Sequence, residues 1–222
     1  RFVGVTFPGT PLRGARLVGL PLRREIEQLD RPAARDEARR FFGLDPRKPL
    51  LLVTGGSTGA RRLNESVVGS VAALLGSGWE VLHITGSRSP VADPHLAGYH
   101  LLEYCDRMDL ALAATDLAIS RAGAATVAEL AAVGIPAVFV PYAVGNGEQA
   151  LNARAAVEAG GAVLVADASF TPEYVARELP RLLDDRARIA AMAARMGTTG
   201  VRDGADRVVD LIDDALKVAL SG

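Results

Sequence analysis

Leu117-Ala118-Ile119-Ser120-Arg121-Ala122-Gly123-Ala124-Ala125-Thr126-Val127-Ala128-Glu129-Leu130 holds an apolar run, a turn of small residues and the start of a helical pattern. Residues 117–119 predict a short strand. The small residues after it let a backbone come close to a ligand. The helix places Thr126 and Glu129 three apart, on one face and near the positive end of the helix dipole. A strand, a small-residue turn and a helix start with polar side chains form a natural seat for a nucleotide.

The same grammar extends in both directions. Leu50-Leu51-Leu52-Val53-Thr54, between Pro49 and Gly55, is a continuous apolar run, the pattern of a strand buried on both faces. Gly55-Gly56-Ser57-Thr58-Gly59-Ala60 follows, then one helix to residue 75 with Leu63, Val67, Val71 and Leu74 on one stripe. Strands are predicted over 81–85, 100–104, 137–140 and 162–165. Helices are predicted over 108–114, from the quoted stretch to Gly134, and from Glu148 to Gly160-Gly161. Asp30-Arg31-Pro32 and Thr171-Pro172-Glu173 read as helix starts and Gly43 as a helix stop. Two more helices, over 185–196 and 203–220, carry the stripes Ile189, Met192, Met196 and Val208, Leu211, Ile212, Ala215. Strands alternate with helices from about residue 49 to 165. This predicts an α/β fold with a doubly wound parallel sheet and ligand sites at the carboxyl ends of its strands.

Upstream, residues 2–7 predict a strand and 15–20 a second apolar run, ended by Pro21 with Arg23 just beyond. A domain seldom begins on an unsupported strand, and Arg1 is no initiator Met. The chain is therefore expected to be a piece of a longer protein. Its 222 residues, 49% hydrophobic and 23% charged, are ordinary for a globular chain. A net charge of −1 gives no electrostatic case for nucleic acid. The single cysteine, Cys105, excludes an internal disulfide framework and fits a reducing compartment. His83, His95 and His100 show no metal-ligand spacing with it. No apolar run approaches the ~20 residues of a membrane span.

Each candidate motif has two readings. The glycine-rich turn at 55–59 is neither a P-loop, since no Gly-Lys-Ser/Thr occurs, nor the dinucleotide fingerprint, whose spacing differs. It offers backbone N–H groups to a phosphate, or it is only a tight turn. Thr126-x-x-Glu129 is a capping box, or Glu129 accepts hydrogen bonds from both ribose hydroxyls. Glu148, Gln149 and Asn152 open a helix after a glycine-bearing loop, as an exposed polar turn or as ligand contacts. Arg23 is an anion contact or a solvated arginine. No Asp-x-Asp and no Gly-x-Ser-x-Gly occurs, so a metal-bridged diphosphate of that kind and a nucleophile elbow are not expected.

Residues 55–60, 120–129, Gly134-Ile135-Pro136, Pro141-Tyr142 and Glu148-Gln149-Ala150-Leu151-Asn152-Ala153 together resemble the MurG family. These bacterial transferases move N-acetylglucosamine from UDP-GlcNAc to lipid I, giving lipid II for peptidoglycan. Gly19-Leu20-Pro21-Leu22-Arg23 looks like that family's Gly-Asn-Pro-Val-Arg segment, and Gly145–Gln149 resembles its actinobacterial form. The match covers nearly the whole chain.

The resemblance implies one half of a GT-B glycosyltransferase, a Rossmann-like donor-binding domain over residues 16–200. Residues 1–15 would be the last strand and linker of an amino-terminal acceptor domain. Residues 201–222 would be a helix packing back toward it. That other domain would carry the catalytic base and meet lipid I and the membrane, peripherally, on the cytoplasmic face of the plasma membrane. By position, Gly56, Ser57, Thr58 and Gly59 would hold the diphosphate, with Arg23 helping. Cys105 falls where backbone groups read the uracil, with Met108 packed nearby. Ala124, Ala125, Thr126 and Glu129 would line the nucleotide, with Glu129 on the ribose. Gln149 would contact the sugar, with Asn152 behind it. Thr58 and Glu148 depart from the family's usual residues. UDP-GlcNAc would be a substrate; no cofactor, metal or nucleic acid is expected. Two alternatives fit the same residues: a separate UDP-GlcNAc-binding subunit of a two-chain transferase, and another GT-B enzyme such as a UDP-GlcNAc epimerase, for which Glu148 is the candidate carboxylate.

Overall fold

The apolar run over residues 50–54 is buried along its whole length. Leu50 and Leu52 join the hydrophobic cluster on one side, Leu51 and Val53 the cluster on the other, as the two-residue period of a strand dictates. The computed structural model describes residues 2–56, 60–142 and 147–220, and every structural statement below concerns these.

In chain order the elements are β1 (Val3–Val5), β2 (Ala15–Leu17), α1 (Arg24–Glu27), α2 (Arg31–Phe42), β3 (Leu50–Thr54), α3 (Arg61–Val68), α4 (Val71–Gly76), β4 (Glu80–Ile84), β5 (Tyr99–Leu102), α5 (Met108–Ala114), β6 (Leu117–Ser120), α6 (Ala124–Ala132), β7 (Ala137–Phe139), α7 (Glu148–Glu158), β8 (Ala162–Leu164), α8 (Pro172–Leu183), α9 (Arg186–Gly197) and α10 (Gly204–Leu220). Six strands form one parallel sheet in the order β5-β4-β3-β6-β7-β8. Residues of α2, α5, α6 and α7 cover one face, and residues of α3, α4, α8 and α9 the other. The expected doubly wound α/β sheet is therefore present. The chain moves outward from β3 through β4 to β5, then returns to β6 on the other side of β3. That reversal opens a crevice at the carboxyl ends of β3 and β6, where ligands bind in such sheets.

Local signals set several element ends. Asp30 accepts from Ala33 N–H at 3.1 Å with Pro32 in the first turn, and Gly43 ends α2 at φ 68°. Thr171 accepts from Tyr174 N–H at 3.2 Å, and Asp185 from Arg188 N–H at 2.9 Å. Each such cap stabilises by about 1 kcal/mol.

The single helix expected to residue 75 is instead two. Ser70 donates back to the Ser66 carbonyl at 2.7 Å, and a side chain at Gly69 would press on Pro172 of α8 at 3.3 Å. The stripe Leu63, Val67, Val71, Leu74 is buried all the same. The stripe on α10 is not: only Gly204 of that helix is buried, and Ile212 is 52% exposed. β1 pairs in parallel with β2. A Cβ on Gly4 would lie 3.1 Å from Leu211 of α10, and Arg16 meets Asp214 at 2.6 Å. No described helix is long and apolar enough to cross a membrane.

Candidate functional site

Two cavities meet in the crevice, and Gly56 and Thr126 line both. The first, about 290 Å³, is walled by Ile84, Cys105, Met108 and Ala125, with Arg23 and Glu129 on its polar side. The second, about 600 Å³, is walled by Arg61, Arg62, Arg121, Tyr142, Gln149 and Asp167. One compartment is largely apolar, with Glu103 and Glu129 in its lining; the other is basic.

The exits of β3 and β6 build the seam. Gly56 sits at φ 84°, a left-handed conformation that favours glycine. Nothing lies within 4 Å of where its Cβ would be, so the backbone is open to close approach. The Thr54 hydroxyl accepts from Gly56 N–H at 3.2 Å and fixes the turn. Ser57, Thr58 and Gly59, expected to complete the phosphate loop, lie outside the described residues.

Across the seam, α6 begins at Ala124 with Gly123 as its cap residue and no side-chain cap. Thr126 is already inside the helix, so the capping-box reading of Thr126 and Glu129 does not hold. Gly123 ends the strand exit earlier than that reading requires, and the Glu129 side chain turns elsewhere. It is 18% exposed and accepts from Arg23 at 3.2 Å. Burial pushes its carboxyl above the ordinary glutamate range, and the Arg23 guanidinium opposes that shift. Arg23 is 54% exposed and pairs with Glu129 at the rim of the cavity. Ala124, Ala125 and Thr126 form the first turn of α6 beside the cavities, with Ala125 exposed and the other two half-buried.

Cys105 is buried in the turn between β5 and α5, and burial raises its thiol pKa. A thiol held protonated is a wall, not a nucleophile. Met108, the first residue of α5, packs half-buried against the core beside it.

Gln149 and Asn152, one face of α7, reach the same small turn. The Gln149 amide oxygen accepts from Ala122 N–H at 3.2 Å and from Tyr142 N–H at 2.9 Å. Asn152 donates to the Ala122 carbonyl at 3.1 Å. These side chains join the exits of β6 and β7, so the reading of an exposed polar turn fails for both. Glu148 is the exposed first residue of α7.

Three features of the site were not among the expected residues. Arg121 donates to the Val140 carbonyl at 3.0 Å, to the Pro141 carbonyl at 3.4 Å and to Asp167 at 2.5 Å. Arg62, on the helix after the glycine turn, approaches Asp167 at 3.5 Å. Behind the seam, His83 is fully buried between Tyr99 Oη at 2.7 Å and Asn64 Oδ1 at 3.1 Å. Asn64 gives its amide hydrogens to the Thr85 and Ser89 carbonyls. Its oxygen must therefore accept, which makes His83 Nε2 the protonated nitrogen. Burial lowers the His83 pKa to about 4. Arg121 lay in the stretch read first; Asp167 carries no sequence signal at all.

Comparison with known proteins identifies the family. The model of the glycosyltransferase family 28 C-terminal domain matches residues 50–208. A Leifsonia xyli subsp. xyli protein named UDP-N-acetylglucosamine--N-acetylmuramyl-(pentapeptide) pyrophosphoryl-undecaprenol N-acetylglucosamine transferase is 57% identical over 98% of this chain and 61% of its own length. A protein of the same name from Clavibacter sepedonicus is 54% identical over 96% of this chain and 59% of its own. The chain thus spans about three fifths of the length of these relatives. Among solved structures, Acinetobacter baumannii MurG superposes with a TM-score of 0.76 at 27% identity, covering 96% of this chain and 60% of that one. With its crevice at the β3–β6 reversal and a family match running from β3 into α10, the chain belongs to glycosyltransferase family 28, in that family's C-terminal domain.

Proposed function

We propose that this chain is the UDP-GlcNAc-binding part of an inverting glycosyltransferase that passes N-acetylglucosamine to lipid I, forming lipid II for peptidoglycan. The observation that carries the reading is the joined pair of cavities. The apolar one, with the half-buried Glu129 carboxylate, suits a nucleoside. The basic one, flanked by Arg61, Arg62 and Gln149, suits a diphosphate and its sugar. The names of the relatives supply the donor and acceptor.

In this reading the ribose hydroxyls donate to Glu129, and Arg23 keeps that carboxylate ionised against its burial. Cys105 and Met108 pack near the uracil. The acceptor hydroxyl attacks the anomeric carbon, and the departing UDP takes up negative charge. The amino end of α6 and the guanidinium groups of Arg61 and Arg62 stabilise that charge as it develops, while the left-handed Gly56 lets the diphosphate come close to the backbone. This assigns the diphosphate to protein cations, without a metal ion. The Gln149 oxygen is spent on two backbone N–H groups, so a sugar hydroxyl would meet its amide nitrogen. Lipid I, the catalytic base and the membrane contact belong in this reading to an amino-terminal domain of the full protein, held peripherally at the cytoplasmic face. β1, β2 and α10 would form the junction with that domain.

Titration calorimetry with UDP and with UDP-GlcNAc tests the reading. The Glu129→Ala chain should lose about 10- to 100-fold in affinity for both, the range for one or two hydrogen bonds to a charged group. Unchanged affinity would remove the ribose role.

A further inference from the structure

Asp167 sits in a short 3-10 helix, Asp167–Ser169, just after β8. Its side chain is 13% exposed and that of Arg121 11%. A carboxylate this enclosed persists beside a phosphate cavity only with a strong partner, and it has two. Arg121 reaches one oxygen at 2.5 Å and Arg62 the other at 3.5 Å. Arg121 spends the same terminal nitrogen on the Val140 and Pro141 carbonyls, and its guanidinium lies 5.6 Å from the Tyr142 ring centre. Tyr142 N–H then holds the Gln149 amide oxygen. One chain of contacts therefore runs from Asp167 through Arg121 and the β7 exit to the group facing the sugar.

We propose that Asp167 is a positioning residue for the donor's sugar: by anchoring Arg121 it fixes the β7 exit and, through it, the orientation of the Gln149 amide. The inference rests on the UDP-sugar reading of the site. Asp167 also has a second effect of opposite sign. It is the acid among Arg61, Arg62 and Arg121 in the basic cavity, so it weakens the local attraction for phosphate. The two effects separate the sugar from the nucleotide. Asp167→Asn keeps the size of the side chain and removes its charge. Arg121 keeps at most a neutral acceptor there, and both Arg62 and Arg121 gain freedom to turn toward the diphosphate.

The test is calorimetry of this chain with UDP and UDP-GlcNAc side by side. Asp167→Asn should weaken UDP-GlcNAc about tenfold, the scale of one well-made hydrogen bond. UDP itself should bind as before or up to a few-fold more tightly. Arg121→Lys keeps the charge but loses the planar guanidinium whose one terminal nitrogen reaches Val140, Pro141 and Asp167 and whose face lies by Tyr142, and it should show the same selective loss of the sugar nucleotide. Asp167→Glu should restore part of the UDP-GlcNAc affinity. Equal losses for both ligands in these variants, or no loss for either, would overturn the positioning role while leaving the UDP-sugar reading intact. A parent chain that binds neither ligand would overturn both.

Discussion

Asp116 and Asp167 each face two arginines at opposite ends of one sheet, and only one of them lies in the site. Asp116, at the amino end of β6, takes both oxygens to Arg35 at 2.8 Å, adds Arg39 at 3.3 Å and accepts from Leu50 N–H at 2.9 Å. Nearby Arg31 gives its donors to the carbonyls of Leu112, Thr115 and Val133. Burial brings its pKa down to about 10. These groups line a groove of about 500 Å³, larger than the apolar cavity of the candidate site. Yet Arg31, Arg35 and Asp116 have already spent their hydrogen-bonding capacity on the protein, knitting α2 and α5 to β3. At the carboxyl end Arg62 is half-exposed, and Gly56 has open space where its Cβ would be. Cavity volume and charge count do not separate the two ends. What separates them is place: only the carboxyl-end cavities meet at the strand exits of the β3–β6 reversal.

The comparison can be broken most directly at Asp116. Asp116→Ala strands Arg39, whose side chain is 2% exposed, and frees Leu50 N–H. The cost should be about 2–3 kcal/mol, below that of a fully enclosed pair because Asp116 is partly exposed. In thermal melts that is a fall of roughly 4–12 °C for a chain of this size. UDP affinity of the folded variant should stay unchanged. A selective loss of UDP binding without a change in melting temperature would reverse the assignment of the two ends.

Acid should act behind the seam through His83. Its folded pKa of about 4 lies below the ordinary 6.5, so it takes up a proton more readily when unfolded. Its contribution is complete above pH 6.5 and is lost as pH falls toward about 4. Melting temperature followed across that window should fall, and His83→Leu should flatten that part of the slope.

Glu129 gives a smaller effect with the opposite setting. Its carboxyl is raised above the ordinary 4.5. Any stability linked to it is therefore present at low pH and declines as pH rises through the raised value. Ligand binding runs the other way, because ribose hydroxyls need the ionised acceptor. UDP-GlcNAc affinity should begin to fall at a pH above 4.5 on acidification, and Glu129→Gln should abolish that dependence. UDP-GlcNAc suits this titration because it lacks the terminal phosphate that titrates near pH ~6.

The smallest effect sits at the rim of the amino-end groove. Arg47 is 88% exposed and pairs with Asp45 only in solvent. Arg47→Ala should move neither melting temperature nor ligand affinity measurably, since such pairs contribute little.

What the sequence by itself determined is what short range determines. The apolar run at 50–54 could only be a strand covered on both faces, because a one-sided strand alternates. Asp30, Thr171 and Asp185 cap helices within three residues of themselves. The strand and helix alternation fixed a parallel sheet with its site at the carboxyl ends. The candidate residues Gly56, Cys105, Met108, Thr126, Glu129, Gln149 and Asn152 all lie at or beside the crevice. Tertiary structure decided the rest. Glu129 meets Arg23 across 106 residues of sequence, and Arg121 meets Asp167 across 46. No period or spacing encodes such a meeting; it follows from the order of strands and the direction of each exit. The same holds for the break between α3 and α4, where a side chain at Gly69 would meet Pro172 of a distant helix, and for the stripe of α10, which is at most half-buried. Local chemistry named the parts because it acts over a turn or a strand. Only the packed sheet decided which polar groups were spent on the fold and which were left facing a ligand.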